Sequence, residues 1–323
     1  MAAMTVAFMK VVLKMVANKV EEDYSKIRQL VESALEAHSV DNGEYRSLDL
    51  YPNLAPTDID PKKILDVFAD DKYLFGRICK KKSNSAILKR HYGNLKADDV
   101  LTSSEMRDRG IEVFTFFILD YNQGLLSIVN TKEAPGANAL NGLFENYIQD
   151  YYLEFVNIPN EDGIKLLYNA KQPQISGIEF EIPVPSTEAL QRILGLDETA
   201  ILDMIQENVM MVSLSLKPMP YHKLTSKRED VRQVLDILIG KKKRYHKTIV
   251  KGNSETFNSR KFDLHAKYFT YPIDVQKYRI KDGRKVEYSQ QEIIEQFRDG
   301  LVKAYEKNQD LISAIANREE SDE

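Results

Sequence analysis

The chain has 323 residues, 43% hydrophobic and 29% charged, and its formal net charge is -4. This composition excludes a disordered protein, and the length predicts two domains, each with a core of its own. A single cysteine excludes an internal disulfide framework and a pair of thiolate metal ligands, and it fits a reducing compartment.

The N-terminal stretch MAAMTVAFMKVVLKMVANK has the apolar character of a signal peptide. Lys10 and Lys14 interrupt the apolar run, however, and no segment approaches the ~18 apolar residues that span a bilayer. We therefore expect a cytoplasmic protein that is neither exported nor membrane-spanning.

The first half of the chain predicts a mixture of helices and strands. Residues 21–38 place apolar side chains on one helical face, with acids at the start, and predict the first helix. DVFADDKYLFGRICKKK and GIEVFTFFILDYNQGLLSIVN predict strands, and DYNQG predicts a hairpin turn within the second. The connection between these two runs is polar and turn-rich. Residues 137–152, ANALNGLFENYIQDYY, predict a helix after the breaker APGA.

The second half predicts a further α+β domain, so that the domains are residues 1–153 and 154–323. ISGIEFEIPVP and NVMMVSLSLKP predict strands, whereas STEALQRIL and SKREDVRQVLDILI predict amphipathic helices. KDGR, between KYRI and KVEYS, predicts a hairpin. A helix from Ser289 to Ile315 is the last element, and SQQE at its start has the pattern of a capping box. The expected fold is α+β, with mixed or antiparallel sheets, packed helices and a long C-terminal helix.

The basic residues are concentrated in two regions of an otherwise acidic chain. Residues 217–285 hold 19 Lys and Arg against 7 Asp and Glu, a balance of +12, so the remainder carries -16. Residues 72–97 hold 8 basic residues and no acidic ones. A solvated face usually mixes both signs, so one sign concentrated in turns and strand ends predicts an anionic polymer as partner. Nucleic acid is such a polymer, because each Lys or Arg that reaches a phosphate releases counterions.

The candidate DNA-binding residues lie in these two regions. In the second region, which contains the densest run, GKKKRYHK, they are Lys241, Lys242, Lys243, Arg244, His246, Lys247 and Lys251. In the first region they are Lys80, Lys81, Lys82, Lys89 and Arg90. The rings within or beside the runs can stack or donate to sugar and phosphate, although Tyr is equally common at the edge of a core; they are Tyr245, His246, His91 and Tyr92. A merely soluble surface is the alternative interpretation of either run, and a membrane-surface role is disfavoured because no helix joins basic residues to an aromatic apolar face.

The sequence contains no strong catalytic motif. Its five histidines are spread singly, without HxH or HExxH spacing, and neither GxGxxG nor GxxxxGK[ST] occurs. Cys79 is interpreted as a core residue in a strand, and Glu179 and Glu181 as an exposed strand face with no following lysine at strand spacing. We therefore expect no catalytic residue, no cofactor and no metal.

The succession of elements carries a resemblance to a known family. A basic strand-turn region is followed by FFILDYNQGLLSIVN, a strand running into STEALQRILGL, a strand ending SLSLKP, and KYRIKDGRKVEYSQQEIIEQFRDGLVKAYEKNQDLI. From about Tyr73 onward this order and its hydrophobic pattern resemble the RexA proteins of phage-exclusion systems, and a similar layout is expected of the DNA-binding KwaB component of the Kiwa anti-phage system. The resemblance implies a cytoplasmic homodimer that binds double-stranded DNA with little sequence preference and works with a separate membrane protein to halt phage growth. The overall acidity of the chain departs from that pattern.

The basic regions thus predict a non-enzymatic protein that binds the DNA backbone. The resemblance implies that it serves antiviral defence as the cytoplasmic sensor or effector beside a membrane partner. In a homodimer, two copies of Lys241–Lys247 and of Lys80–Lys82 are expected to line a shared cleft. Two alternatives stay open: a nuclease or other nucleic-acid enzyme with a dispersed site, and a protein-interaction module that binds an acidic partner.

Overall fold

A computed structural model of the protein describes residues 4–53, 62–82, 87–91, 93, 95–102, 105, 109–183, 195, 197, 199, 211–241, 243, 245–281 and 283–317. The strands in these ranges are β1 Met4–Met15, β2 Glu21–Glu22, β3 Val40–Asp41, β4 Tyr45–Asp49, β5 Lys63–Phe68, β6 Leu74–Lys82, β7 Leu88–Arg90, β8 Ala97–Asp99, β9 Ile111–Asp120, β10 Leu125–Val129, β11 Tyr151–Asn157, β12 Gln174–Pro183, β13 Met211–Leu216, β14 Lys247–Asn253, β15 Arg260–Asp263, β16 Thr270–Ile273, β17 Tyr278–Lys281 and β18 Arg284–Glu287. The α-helices are α1 Lys26–His38, α2 Asn141–Leu143, α3 Asn160–Asn169, α4 Arg228–Gly240 and α5 Gln290–Ala316. The predicted α+β class, with its long C-terminal helix, is confirmed.

The chain divides into two compact units that are discontinuous in sequence. Unit 1 comprises the described residues of Met1–Asn157 and Thr270–Lys307, and unit 2 those of Ile158–Phe269 and Asn308–Glu323. This grouping differs from the sequence-based division into 1–153 and 154–323, because residues 270–307 pack with the N-terminal strands. β16, for example, pairs with β1. Such a long-range return of the chain leaves no local pattern in the sequence.

The apolar N-terminal stretch forms β1, an inner strand of the large antiparallel sheet of unit 1. The order of this sheet is β11-β1-β10-β9-β6-β5-β4-β3, and β2 and β16 also pair with β1. Val6, Phe8, Val11 and Leu13 are all buried, although even- and odd-numbered side chains of a strand point to opposite faces. A strand covered on both faces reads as a continuous apolar run, which explains the resemblance of this stretch to a signal peptide.

Both faces of the sheet are covered within unit 1. On the inner face, α1 and the turns of residues 137–148 pack over a core that includes Ile78 and Leu126. On the outer face, Phe297 of α5 stacks on Phe116 at a centroid distance of 4.5 Å. The Tyr305 hydroxyl of the same helix donates to the Asp120 carboxylate at 2.7 Å. The strands that are covered by α1 and residues 137–148 on one face and by α5 on the other are therefore the most deeply buried part of the unit.

The predicted capping box at the start of α5 is confirmed. The Ser289 N–H donates to the Glu292 carboxylate at 2.8 Å, and the Glu292 N–H donates to the Ser289 hydroxyl at 3.2 Å. These two reciprocal bonds satisfy backbone donors that the first turn of a helix leaves without a partner.

Two predicted helices are shorter than expected because residues at one end of each form strands of the sheet instead. The helix predicted over residues 21–38 begins at Lys26, since Glu21–Glu22 pair with β1. Residues 137–148 form short 3₁₀, α and π turns, and the predicted end at residue 152 falls within β11. The Asn141 side chain stabilises the change of direction by donating to the Leu153 carbonyl at 2.8 Å and accepting its N–H at 2.7 Å.

Unit 2 is built on a four-stranded antiparallel sheet in the order β13-β12-β14-β15. Val231, Leu235 and Leu238 of α4 are buried, as the helical periodicity predicted. Gly163 of α3 lies against Phe262 of β15, where an added Cβ would approach a ring carbon to 2.8 Å, so glycine permits the close contact. The helix predicted for STEALQRIL lies outside the described residues.

Candidate nucleic-acid interface

The basic run GKKKRYHK joins the end of α4 to the start of β14. Lys241 follows the last turn of the helix, and its N–H donates to the Ile237 carbonyl at 3.0 Å. Positive charge at this end interacts favourably with the helix dipole, so part of the run contributes to stability as well as to the surface. Lys241 and Lys243 are exposed, whereas Lys242 and Arg244 lie outside the described residues.

β14 continues the run and presents its lysines on one face. Thr248 and Val250 are buried, while Lys247 and Lys251 are exposed, because alternate residues of a strand point to opposite faces. In the described part of unit 2, no carboxylate forms an ion pair with Lys241, Lys243, Lys247 or Lys251.

Carboxylates of β12 reduce the positive charge on part of this sheet face. Glu181 lies directly opposite Lys247 in the strand register, and Glu179 pairs with Lys261 at 3.1 Å. Glu179, Glu181 and Lys247 line a shallow depression of about 310 Å³. The two glutamates form a partly exposed strand face, in line with their interpretation from sequence. Lys251 faces Lys261 of β15 and no carboxylate in the register.

The two rings at the end of the run differ in their surroundings. Tyr245 packs against Phe180 with ring centroids 5.4 Å apart, so its ring lies at the edge of the core, the alternative that the sequence left open. His246 is exposed, and its backbone N–H donates to the Glu181 carbonyl at 2.8 Å. His246 is exposed and Tyr245 is half-buried, so the histidine is the more accessible of the two residues.

The three lysines at the end of β6 are not presented together. Lys80 points to the inner face of the sheet and lines a cavity there. Lys81 lies on the opposite face, in register with Glu112, and Lys82 pairs with Glu133 at 2.9 Å. Because successive side chains of a strand point to opposite faces of the sheet, the three consecutive lysines do not form one basic patch.

Lys89 and Arg90 belong to the small hairpin β7–β8 of unit 1. Lys89 lies opposite Asp98 in the register, and the guanidinium of Arg90 donates to the Leu95 carbonyl within the same hairpin. His91 is exposed, and Tyr92 lies outside the described residues. The hairpin therefore carries its own counter-charge.

Much of the charge of residues 72–97 is compensated by acids from other parts of unit 1. Four of the eight basic residues pair with carboxylates: Lys72 with Glu306 at 2.6 Å, Arg77 with Asp66 at 2.6 Å, Lys82 with Glu133 at 2.9 Å and Lys96 with Asp98 at 3.2 Å. All four acids lie outside residues 72–97, so a charge count over that window does not include them.

Arg77 is buried and packs within the fold, so it is not part of the basic surface. It is 7% exposed, and its guanidinium lies over the rings of Tyr45, Phe68 and Phe114. Burial opposes its charge, but the Asp66 carboxylate outweighs this effect and raises the pKa of Arg77 above its usual value. The neighbouring Cys79 is buried, and burial raises the pKa of its thiol far above the usual range, so Cys79 is a core residue, as interpreted from sequence.

The structure adds a basic element that the predicted site did not include. β17 and β18 form a two-stranded ribbon in unit 1 whose eight residues are all exposed. The ribbon carries Arg279, Lys281, Arg284 and Lys285. Arg279 is held at the base by Glu292 at 2.8 Å, and the Lys285 ammonium lies 4.6 Å from the ring centre of Tyr278. The basic residues that flank KDGR could have indicated this ribbon from sequence, since the hairpin itself was correctly predicted.

Each of the two basic elements, the α4–β14 loop of unit 2 and the β17–β18 ribbon of unit 1, has by itself a chemistry that suits contact with a polyanion. Lysine is a compact charge on a flexible stem, which suits phosphate contacts, and an exposed two-stranded ribbon has the width that a major groove admits. The lysines of the α4–β14 loop are not on a helix that enters a groove. The exposed lysines of the α4–β14 loop and β14 are thus suited to phosphate contacts rather than to insertion into a groove.

Comparisons with known proteins assign no family to this α+β chain. The scan against protein-family models and the search of curated proteins both found no match. Across the described ranges, no group of three or more His, Cys, Asp or Glu side chains is arranged to hold a metal ion. Nor does this part of the chain contain a helix long and apolar enough to cross a membrane.

Proposed function

We propose that this protein binds double-stranded DNA through the phosphate backbone, with little sequence preference. The observation that carries the proposal is the positive charge of residues 217–285, most of which forms no ion pair with a carboxylate of the described residues. Of its 19 basic residues, two lie outside the described ranges, and three of the others pair with carboxylates: Arg260, Lys261 and Arg279. Unpaired cations on exposed loops and strand ends supply the electrostatic term that dominates non-specific DNA binding.

The chemistry of these residues supports backbone contact over base recognition. The α4–β14 loop and β14 offer mainly lysines, whereas specific readout usually relies on planar groups such as Arg on guanine or Asn on adenine. Phosphate contacts fix the position of a protein on the duplex and carry no sequence information. Unrelated duplexes of equal length are therefore expected to bind alike.

The proposed role extends to phage exclusion. The support for it is the resemblance of element order to the RexA proteins and to KwaB. In this role the protein acts in the cytoplasm as a homodimer, as the sensor or effector beside a membrane protein. Binding without sequence preference suits it, since the DNA of different phages shares a backbone and not a sequence.

A gel-shift titration with random duplex DNA, with and without magnesium, tests the DNA-binding proposal. If four to six phosphates are engaged, the logarithm of affinity falls with the logarithm of salt concentration at a slope of about -4 to -5. A slope near zero, or a hundredfold preference for one sequence at fixed salt, contradicts backbone binding. Magnesium-dependent loss of a plasmid would favour the nuclease alternative instead, and failure of generic DNA to displace an acidic partner protein would favour the interaction module.

A further inference from the structure

A small cavity of about 220 Å³ lies in unit 1 between α1 and the large sheet, where several strands begin or end. Helix α1 contributes Arg28 and Glu32, β4 contributes Arg46, and Tyr121 follows the last residue of β9. The volume is below the ~300–1,000 Å³ of sites for drug-sized ligands, so a ligand of this cavity must be small. Of the predicted DNA-binding residues that the structure describes, none lines it.

The buried hydroxyl of Tyr121 is the feature of this cavity that points to a ligand. Tyr121 is 8% exposed and its ring belongs to the core on the inner face of the sheet. Within the described part of the chain, its hydroxyl forms no hydrogen bond, although a buried tyrosine hydroxyl usually has a partner. Burial raises the pKa of Tyr121 above its usual range, so the hydroxyl keeps its proton and can donate it to an acceptor.

The charged side chains near this hydroxyl leave one positive charge in excess. Besides burial, Glu32 raises the pKa of the phenol and Arg28 and Arg46 lower it, so one carboxylate and two guanidiniums act on it. Glu32 is engaged by Arg28, whose Nε donates to it at 2.9 Å. Among the described residues, Arg46 forms no ion pair. Its register partner Asp41 accepts instead from the Gly43 N–H at 2.8 Å.

The hydroxyl can be reached by a movement of surface side chains alone. Arg28 lies over the Tyr121 ring, with its guanidinium carbon 5.7 Å from the ring centre. The side chains of Arg28 and Glu32 are 55% and 44% exposed. An exposed ion pair of this kind contributes little to stability, so both side chains can move aside at small cost. A ligand can therefore contact the hydroxyl while the core stays packed.

We propose that this cavity binds a small monocarboxylate, whose oxygens accept hydrogen bonds from the Tyr121 hydroxyl and the Arg46 guanidinium. The planar fork of a guanidinium matches a carboxylate, and a hydroxyl that donates to an ionised acceptor forms a strong hydrogen bond. A single negative charge balances the excess positive charge near the hydroxyl. The second negative charge of a phosphate dianion is disfavoured there by the neighbouring Glu32 carboxylate.

Isothermal titration calorimetry on the full chain tests the proposal with acetate, lactate, pyruvate and phosphate as probes. At least one of the three carboxylates is expected to bind with a Kd of about 1 mM or tighter, and about tenfold or more tightly than phosphate. Tyr121→Phe, which removes only the hydroxyl oxygen, and Arg46→Met are each expected to weaken this binding by about tenfold or more. Tyr147→Phe is the matched control, because the Tyr147 hydroxyl already donates to the Asp49 carbonyl at 2.6 Å and Tyr147 does not line this cavity. It is expected to leave the carboxylate affinity unchanged.

Urea denaturation without any of these probes is an independent check on the Tyr121 hydroxyl. Tyr121→Phe removes a buried hydroxyl that has no hydrogen-bond partner, so its urea midpoint should be no lower than that of the natural protein. Tyr147→Phe loses a hydrogen bond and should have a lower midpoint. A lower midpoint for Tyr121→Phe as well would mean that the fold itself uses this hydroxyl, and it would overturn the proposal.

The calorimetry has three further outcomes that would overturn the proposal: no carboxylate probe binds, phosphate binds in this cavity as tightly as the best carboxylate, or Tyr121→Phe leaves the affinity unchanged. Phosphate can also associate with the exposed lysines of the α4–β14 loop. Only phosphate binding that Tyr121→Phe weakens is therefore attributed to the cavity, which keeps this test independent of the proposed DNA surface.

Discussion

Residues 72–97 and residues 217–285 are both strongly basic in sequence, yet the fold treats their charges differently. In the first region, half of the basic residues pair with carboxylates, and one of them, Arg77, is buried. In the second region, most of the described basic residues are exposed and form no ion pair with a carboxylate in the described part of the chain. A high local charge therefore indicates a binding surface only where the tertiary structure leaves it uncompensated.

The physical reason is the range of electrostatic interactions. A cation with a carboxylate about 3 Å away presents a dipole to a distant phosphate, and solvent ions screen what remains beyond a Debye length of about 8–10 Å. Lys82 beside Glu133 is such a dipole, whereas Lys251 lies opposite Lys261 and forms no ion pair with a described carboxylate. The second region is consequently the better candidate for DNA, and the following predictions test that contrast.

The largest expected effect is on stability, at Arg77. Arg77→Ala leaves the Asp66 carboxylate buried without its partner, so the free energy of unfolding should fall by about 3–5 kcal/mol, as measured by urea denaturation. The double variant Arg77→Met, Asp66→Leu removes both charges and should lose less than the single variant. A cost below about 1 kcal/mol for Arg77→Ala would mean that this cation does not serve the fold.

The next effect is on DNA affinity, in the second region. Changing Lys241, Lys243, Lys247 and Lys251 together to Ala should weaken binding to random duplex DNA by about 30- to 100-fold at low salt and make the salt slope shallower by about one unit per lost phosphate contact. The same four changes to Arg preserve the charge and should keep the affinity within a few-fold. Equal affinity of the Ala variant and the natural protein, with an unchanged melting curve, would remove this surface from the site.

A smaller effect is expected on how the free energy of unfolding depends on pH, and it involves Asp70, just before the first region. Burial alone would raise the pKa of Asp70, but the N–H groups of Tyr73 and Lys72 and the guanidinium of Arg298 outweigh burial and hold the pKa below its ordinary value of 3.8. A depressed folded-state pKa contributes stability that is present above pH 3.8 and is lost as the pH falls through the lower folded value.

Asp70→Asn tests this contribution because it keeps one acceptor oxygen for the two N–H groups while it loses the ion pair. The variant should be less stable by about 1–2 kcal/mol at neutral pH. Urea midpoints recorded from about pH 6 down to about pH 2.5 should show the difference from the natural protein shrinking in the acid range. A difference that is constant with pH would rule out ionisation of Asp70 as its cause.

The smallest expected effect is on DNA binding in the first region. Lys82→Ala should change the affinity for random duplex less than twofold, because its charge is already compensated by Glu133. Glu133→Gln is the informative companion, since it frees the Lys82 charge and should increase the affinity slightly at low salt. A larger loss from Lys82→Ala than from the fourfold variant of the second region would reverse the contrast between the two regions.

Local patterns in the sequence determined much of the fold. Helical periodicity predicted the buried face of α4, turn chemistry predicted the β9–β10 and β17–β18 hairpins, and the SQQE pattern predicted the capping box of α5. These features depend on residues close in the chain, whose spacing and side-chain chemistry are visible in a short window. The two basic regions were visible for the same reason.

The tertiary structure alone decided which strands are covered on both faces, where residues 270–307 return to the first unit, and which charges stay unpaired. β1 reads as an apolar run because both faces of the sheet are covered, and no local pattern distinguishes that case from a leader or a buried helix. Three ion pairs show this: Lys72 with Glu306, Arg77 with Asp66 and Lys82 with Glu133. Strand pairing between β5 and β6 places Asp66 beside Arg77, and a turn brings Glu133 to Lys82. Ion pairing acts over a few ångströms of space, whereas the sequence records only distance along the chain.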